Sequence, residues 1–140
     1  MRIVVDTSVC VALLRRAGSS EAASVAMHLS ALGEDTEIVL SSIVAAELAV
    51  GLHLAQQPAN SRKLYAAITA AFSQHAFGFE AAEAYSRLRA ALRKSGRSAG
   101  TFDELIAAHA LAIGAEVATL NARDFGQVPG LRVRDWGAAA

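Results

Sequence analysis

The sequence predicts an α/β chain with a small, mainly parallel sheet flanked by helices. Two observations carry this. Short strand-like segments stand at residues 2–5, 37–40, 116–120 and 131–134. Longer stretches of helical pattern separate them, so the strands are joined by helical crossovers, the connection a parallel sheet requires.

Each element has its own signal. Ile3, Val4 and Val5 form a continuous apolar run, the mark of a strand buried on both faces. Helical patterns follow at 9–15 and 20–31. The strand at 37–40 leads into a helix at 42–55, and Pro58 precedes another at 60–75. Residues 79–95 form a helix ending near Gly96. Residues 102–113 form one ending at Gly114, a residue suited to the position after a helix end. Residues 117–120 read as a buried strand, and the charged segment 131–134 as an edge strand. With no internal repeat or linker, residues 1–140 are expected to form one domain, and a chain that is 54% hydrophobic can bury a real core.

Composition removes several function classes. The 13 basic residues balance 13 acidic ones, so no overall field marks a nucleic-acid or membrane binder; such a role needs charge segregated on one face. The single cysteine, Cys10, excludes an internal disulfide framework and suits a reducing compartment. It sits in an apolar run and reads as a small core residue. Asp6 interrupts the N-terminal apolar run, and Arg15 and Arg16 stand where a cleavage site needs small residues, so no signal peptide is expected. No apolar run approaches the ~18–20 residues of a membrane span. A soluble, cytoplasmic protein is expected.

Acids stand where acids are out of place. Asp6 follows the first strand directly. Glu47 lies in the 42–55 helix beside an expected inward face of Ile43, Ala46 and Val50. Asp103 shares a helix face with Ile106, Ala107, Ala110 and Ile113. Asp124 and Asn121 follow the strand ending at Leu120. Each has a bland reading: Asp6 as a helix cap, Glu47 as a flank residue reaching water, Asp103 as a favourable charge in a first helical turn, Asp124 and Asn121 as turn residues. Thr101 and Glu104 fit a capping box, and His109, flanked by alanines, reads as a packed or flank residue and not as a ligand. Jointly the bland readings are harder to accept, because two acids at strand ends and two on inward helix faces can converge in a parallel sheet. Carboxylates sharing one cleft need a cation, and hard oxygen donors without a Cys/His set suit Mg²⁺ or Mn²⁺.

The blocks "DTSV", "SSIVAAELAVGL", "DELIAAHALAIGAEVATLNARDF" and "VPGLRVRDW", in this order across the whole chain, resemble the PIN-domain ribonucleases. More narrowly they resemble the VapC-type toxins of bacterial and archaeal toxin–antitoxin pairs. The resemblance implies a PIN-like three-layer α/β/α sandwich. It implies a Mg²⁺- or Mn²⁺-dependent endoribonuclease acting on structured RNA such as tRNA or ribosomal RNA, and inhibiting translation until an antitoxin neutralises it. The family's acids match Asp6, Glu47, Asp103 and Asp124 as catalytic and metal-binding residues. Its hydroxyl matches Thr7 or Ser8, and its asparagine Asn121. Two departures stand out: Leu120 where the family often has a second asparagine, and Glu104 where it has an apolar residue, which adds a negative charge near the site.

An acidic cleft must still attract a polyanion. The segment "SRLRAALRKSGRS" supplies Arg87, Arg89, Arg93, Lys94 and Arg97 just before Asp103. Arg93, Lys94 and Arg97 are the expected RNA contacts, against the ordinary reading of a solvated charged face; Arg15, Arg16 and Arg123 are further candidates. A homodimer is expected, with a VapB-type antitoxin as partner. Its C-terminal segment would lie across the 20–31 and 42–55 helices and send an arginine or lysine into the cleft. A receiver-like or phosphatase domain also places acids at strand ends, but Lys63 and Lys94 fall in helical runs, away from any strand end.

Overall fold

The computed structural model describes residues 1–14 and 18–138; Arg15 and Arg16, and the expected end of the first helix, lie outside the described residues. In chain order the elements are β1 (Arg2–Val5), α1 (Thr7–Leu14), α2 (Ser20–Ser30), β2 (Glu37–Ser41), α3 (Ser42–Leu54), α4 (Pro58–Ala71), β3 (Ser73–His75), α5 (Phe79–Lys94), α6 (Thr101–Ala112), β4 (Glu116–Thr119), α7 (Ala122–Phe125) and β5 (Val133–Asp135).

The strands form one sheet of five, in the order β3-β2-β1-β4-β5, and every pairing is parallel. Helices flank it, as the sequence implied. β1 is central because Ile3, Val4 and Val5 are apolar on both faces, and all three are fully buried. Val4 sits opposite Val39 on one side and Val117 on the other. β5 is an edge strand, as its charges indicated.

The order of strands determines where a site can lie. From β1 the chain moves outward to β2 and β3, then returns through α5 and α6 to place β4 on the opposite side of β1. The connections therefore diverge between the carboxyl ends of β1 and β4, which is where open α/β sheets bind ligands. At the other end of α6, Gly114 takes a positive φ of 68°. Gly114 N donates to the Leu111 carbonyl and Ala115 N to the Ala110 carbonyl, the Schellman arrangement that stops a helix.

Two expectations need correction. The helix expected over 60–75 starts at Pro58 and ends at Ala71, and Ser73–His75 is an edge strand on β2. Its sequence, Ser-Gln-His, has no β-branched or apolar signal; backbone pairing alone makes it a strand. In α3 the buried residues are Val44 and Leu48, whereas Val50 is 59% exposed and Ala46 is also exposed. This helix is apolar nearly all round, so its neighbours α1, α4 and α6 decide which side is covered.

Candidate active site

Asp6 leaves β1 at the divergence point and is 3% exposed. Its Oδ1 accepts from Ser8 Oγ at 2.6 Å and from Val9 N at 3.1 Å. Its Oδ2 accepts from Thr119 Oγ1 at 2.6 Å. The contact with Val9 N caps α1, so the structural and the functional readings of Asp6 describe the same side chain. Burial pushes its carboxyl above the usual range, and the donors from Ser8, Thr119 and Val9 offset this only in part.

Thr119 escaped the sequence reading, although the block "TLNARDF" contains it. It is fully buried at the end of β4. Its hydroxyl donates to Asp6 and accepts from Asn121 N at 2.8 Å. Ser8 Oγ likewise donates to Asp6 and accepts from Leu120 N at 3.1 Å. These two hydroxyls join the carboxyl ends of β1 and β4. Thr7 has a different partner: its Oγ1 donates to Glu47 Oε1 at 2.6 Å. Just before α7, Asn121 Nδ2 donates to Asp124 Oδ2 at 2.7 Å.

Asp103 stands in the first turn of α6. Burial comes first in pushing its carboxyl up to about 6, followed by the negative charges of Asp6, Asp124, Glu47 and Glu104. No hydrogen-bond donor from the described residues offsets this. The fold thus brings Asp6, Glu47 and Asp124 within electrostatic reach of Asp103. Three of the four are held by a hydroxyl or amide donor, and Asp103 is not. Among the described residues no three acidic, histidine or cysteine side chains form a preassembled ligand group. The donor set still fits a hard divalent cation, since Mg²⁺ keeps several waters and takes one or two carboxylates directly. It also needs charge neutralised.

Glu104 departs from expectation. Thr101 is already helical and the N-cap is Gly100, so there is no capping box. The Glu104 carboxylate is buried and accepts from Arg89 Nη1 at 2.6 Å, Ser98 Oγ at 3.0 Å and Ala99 N at 3.0 Å. Burial raises its pKa, but these partners outweigh it and hold the group ionised below its ordinary range. Arg89 balances its charge, and Arg89 is thereby removed from the basic residues free to meet a phosphate.

Arg93 and Lys94 end α5, and Arg97 follows in the turn to α6; all three are exposed. That turn leads directly into the end of α6 that carries Asp103. Arg123 is exposed on α7, next to Asp124. His109 is packed, as read: its Nδ1 lies 2.8 Å from Ser41 Oγ, its ring meets Phe77 edge-on, and burial lowers its pKa. Cys10 is buried too, its thiol pushed up to about 12 by burial and the charge of Asp6, so it is not a nucleophile.

Two hollows adjoin Glu47. A cavity of about 310 Å³ between α1, α3 and α4 has Thr7 and Glu47 on its wall, with Leu48, Leu64 and Tyr65. A shallower one of about 210 Å³ is lined by Ala46, Glu47, Val50 and Phe102. The groove expected to include the 20–31 helix is not among these: α2 instead receives the C-terminal segment. Ser24 Oγ donates to the Trp136 carbonyl at 2.6 Å and His28 stacks on the Trp136 ring.

The family model of the PIN domain matches residues 3–131. The chain is 32% identical over 136 residues to ribonuclease VapC1 of Rickettsia felis, covering 95% of each chain. It is 28% identical over 136 residues to the tRNA(fMet)-specific endonuclease VapC of Shigella flexneri, covering 97% of this chain and 98% of that one. Among solved structures, it superposes with a TM-score of 0.87 on a chain of VapBC2 from Rickettsia felis bound to a DNA fragment from their promoter. There the identity is 27%, covering 96% of this chain and 98% of the other.

Proposed function

The chain belongs to the PIN-domain family, as a VapC-type ribonuclease toxin of VapBC toxin–antitoxin systems, and we propose that it is a metal-dependent endoribonuclease cutting structured RNA, tRNA or ribosomal RNA, and so halting translation. The observation that carries this reading is Asp103, an acid raised to about 6 by burial and by Asp6, Asp124 and Glu47 around it. So much unneutralised oxygen charge at a sheet's divergence point suits Mg²⁺ or Mn²⁺. Asp6, Glu47, Asp103 and Asp124 would hold such a cation, which would supply water activation and charge neutralisation at the scissile phosphate.

The protein groups divide the remaining work. Asp6, Asp103, Asp124 and Glu47 offer the oxygens. Ser8 and Thr119 fix Asp6, Thr7 fixes Glu47, and Asn121 orients Asp124. Arg93, Lys94 and Arg97 draw the RNA backbone to a cleft that would otherwise repel it.

The test is cleavage of purified tRNA and ribosomal RNA. Wild type should cut with Mg²⁺ or Mn²⁺, stop in EDTA and recover when the metal is restored. Asp6→Asn should fold and not cut, since it removes a charge at nearly constant volume. Cutting that persists in EDTA refutes the metal reading; cutting by Asp6→Asn refutes this site.

As a VapC-type toxin the chain should act in the cytoplasm, as a homodimer held by a VapB-type antitoxin. The antitoxin's C-terminal segment would cover α3 and the cavity beside Thr7 and Glu47, then place an arginine or lysine against Asp6, Asp103 or Asp124. Arginine suits the role because its planar fork pairs both oxygens of a carboxylate.

A further inference from the structure

Glu104 is the acid that the proposed chemistry leaves unused. We infer that Glu104 and Arg89 are positioning residues for the metal centre: they set the end of α6 that presents Asp103 and tie it to the segment that follows Asp124. The inference rests on the metal reading of the cleft given above.

Neighbouring residues on a helix project about 100° apart. Asp103 therefore leaves α6 toward the other acids, while Glu104 leaves it toward α5. Glu104 is 1% exposed, and an ionised carboxylate at that depth must be fully paired. Its partners are all in or before the turn that starts α6. Arg89 Nη1 and Ser98 Oγ donate to it, as does the backbone N–H of Ala99. The network extends outward from these. Gly100 N donates to Ser98 Oγ at 3.2 Å, and Arg89 Nη2 donates to the Arg97 carbonyl at 3.3 Å.

This matters because α6 has no ordinary cap. Its N-cap, Gly100, has no side chain and takes a positive φ of 96°. Glu104 holds the preceding turn from inside the helix instead. The same turn is joined to the other side of the cleft. Gln127 Nε2 donates to the Ser98 carbonyl at 3.4 Å, and Gln127 N donates to the Asp124 carbonyl at 3.2 Å. One network thus touches the two elements that carry Asp103 and Asp124. A pair present only for stability can be exchanged for apolar residues of similar volume. This pair holds N–H and O–H groups of the turn, which apolar side chains cannot do.

The experiment titrates Mn²⁺ alone into metal-free protein by calorimetry, with circular dichroism and a cooperative thermal transition as the check on folding. Arg89→Met with Glu104→Leu removes the charges and the grip on the turn; its Mn²⁺ affinity should fall by about 10–100-fold, the loss seen when a ligand's supporting partner is removed. Arg89→Met with Glu104→Gln removes the charges but keeps an acceptor for Ala99 N, and should recover most of that affinity. Ser98→Ala, at an exposed position that folding tolerates, should weaken Mn²⁺ binding measurably, though less than the Leu/Met variant does. Wild-type affinity in a folded Leu/Met variant, or in Ser98→Ala, would overturn the inference while leaving the metal site standing. A wild-type protein that binds no Mn²⁺ overturns the metal reading itself, and this inference with it.

Discussion

Asp103→Asn should make the metal-free protein more stable at neutral pH while abolishing its activity. Asp103 has an ordinary carboxyl value of 3.8, raised in the fold to about 6. The native state therefore binds this proton more tightly than the unfolded chain does. Between about pH 4 and 6 the native state carries more protons, so stability falls as pH rises through that window. Below it both states are protonated and nothing is lost; above it the full cost is present. That rise corresponds to roughly 3 kcal/mol. Asp103 is partly open to solvent, so screening reduces this to about 1–2 kcal/mol. An acid in the first turn of a helix also gains about 0.3–1 kcal/mol from the dipole, which asparagine forfeits. The net gain for Asp103→Asn at pH 7.5 is then about 1 kcal/mol, and it should vanish near pH 4. The assay is urea denaturation of both proteins in EDTA at pH 7.5 and pH 4. Excess Mn²⁺ should reverse the ranking, because it binds and stabilises the native wild type through a carboxylate that the variant lacks. A variant less stable at pH 7.5 than at pH 4, each relative to wild type, would refute the convergence of charge on Asp103.

Four further outcomes follow from the same site and its surroundings. Thr119→Val keeps the shape of a buried residue but removes the hydroxyl between Asp6 and Asn121; urea denaturation should report a loss of about 1.5–3 kcal/mol, the worth of a hydrogen bond to a charged group, and RNA cleavage should fall with it. Charge reversal at Arg93 and Lys94 should weaken RNA binding and lower the slope of log affinity against log salt by about 0.7 for each phosphate no longer neutralised; an unchanged slope would mean that these side chains only solvate the surface. A synthetic antitoxin tail should inhibit cleavage, and replacing its basic residues one at a time should find one that inhibition requires; if none does, steric cover is the mechanism. Light scattering at micromolar concentration should give the mass of a dimer, with alanine-rich helical surface as its seam; a monomer mass would count against this.

Features that depend only on neighbours along the chain were legible from the residues. The run Ile3–Val4–Val5 marks a strand buried on both faces wherever it lies, and strands alternating with helices require a parallel sheet. Gly114 could be assigned to a helix end from its place after 102–113. Asp6, Glu47, Asp103 and Asp124 could be singled out because a carboxylate among apolar residues costs free energy in any fold; the family resemblance then linked them. Tertiary structure decided what depends on residues far apart. Ser73–His75 is a strand only because β2 offers unpaired backbone beside it. Which side of α3 is buried could not be read from a helix apolar nearly all round. Thr119 becomes a donor to Asp6 only when β1 and β4 lie side by side. Glu104 read locally as a capping acid, and Arg89 as one of several basic residues preceding Asp103. Burial makes a lone charge untenable at Glu104, and the packing of α5 on α6 placed Arg89 2.6 Å from it.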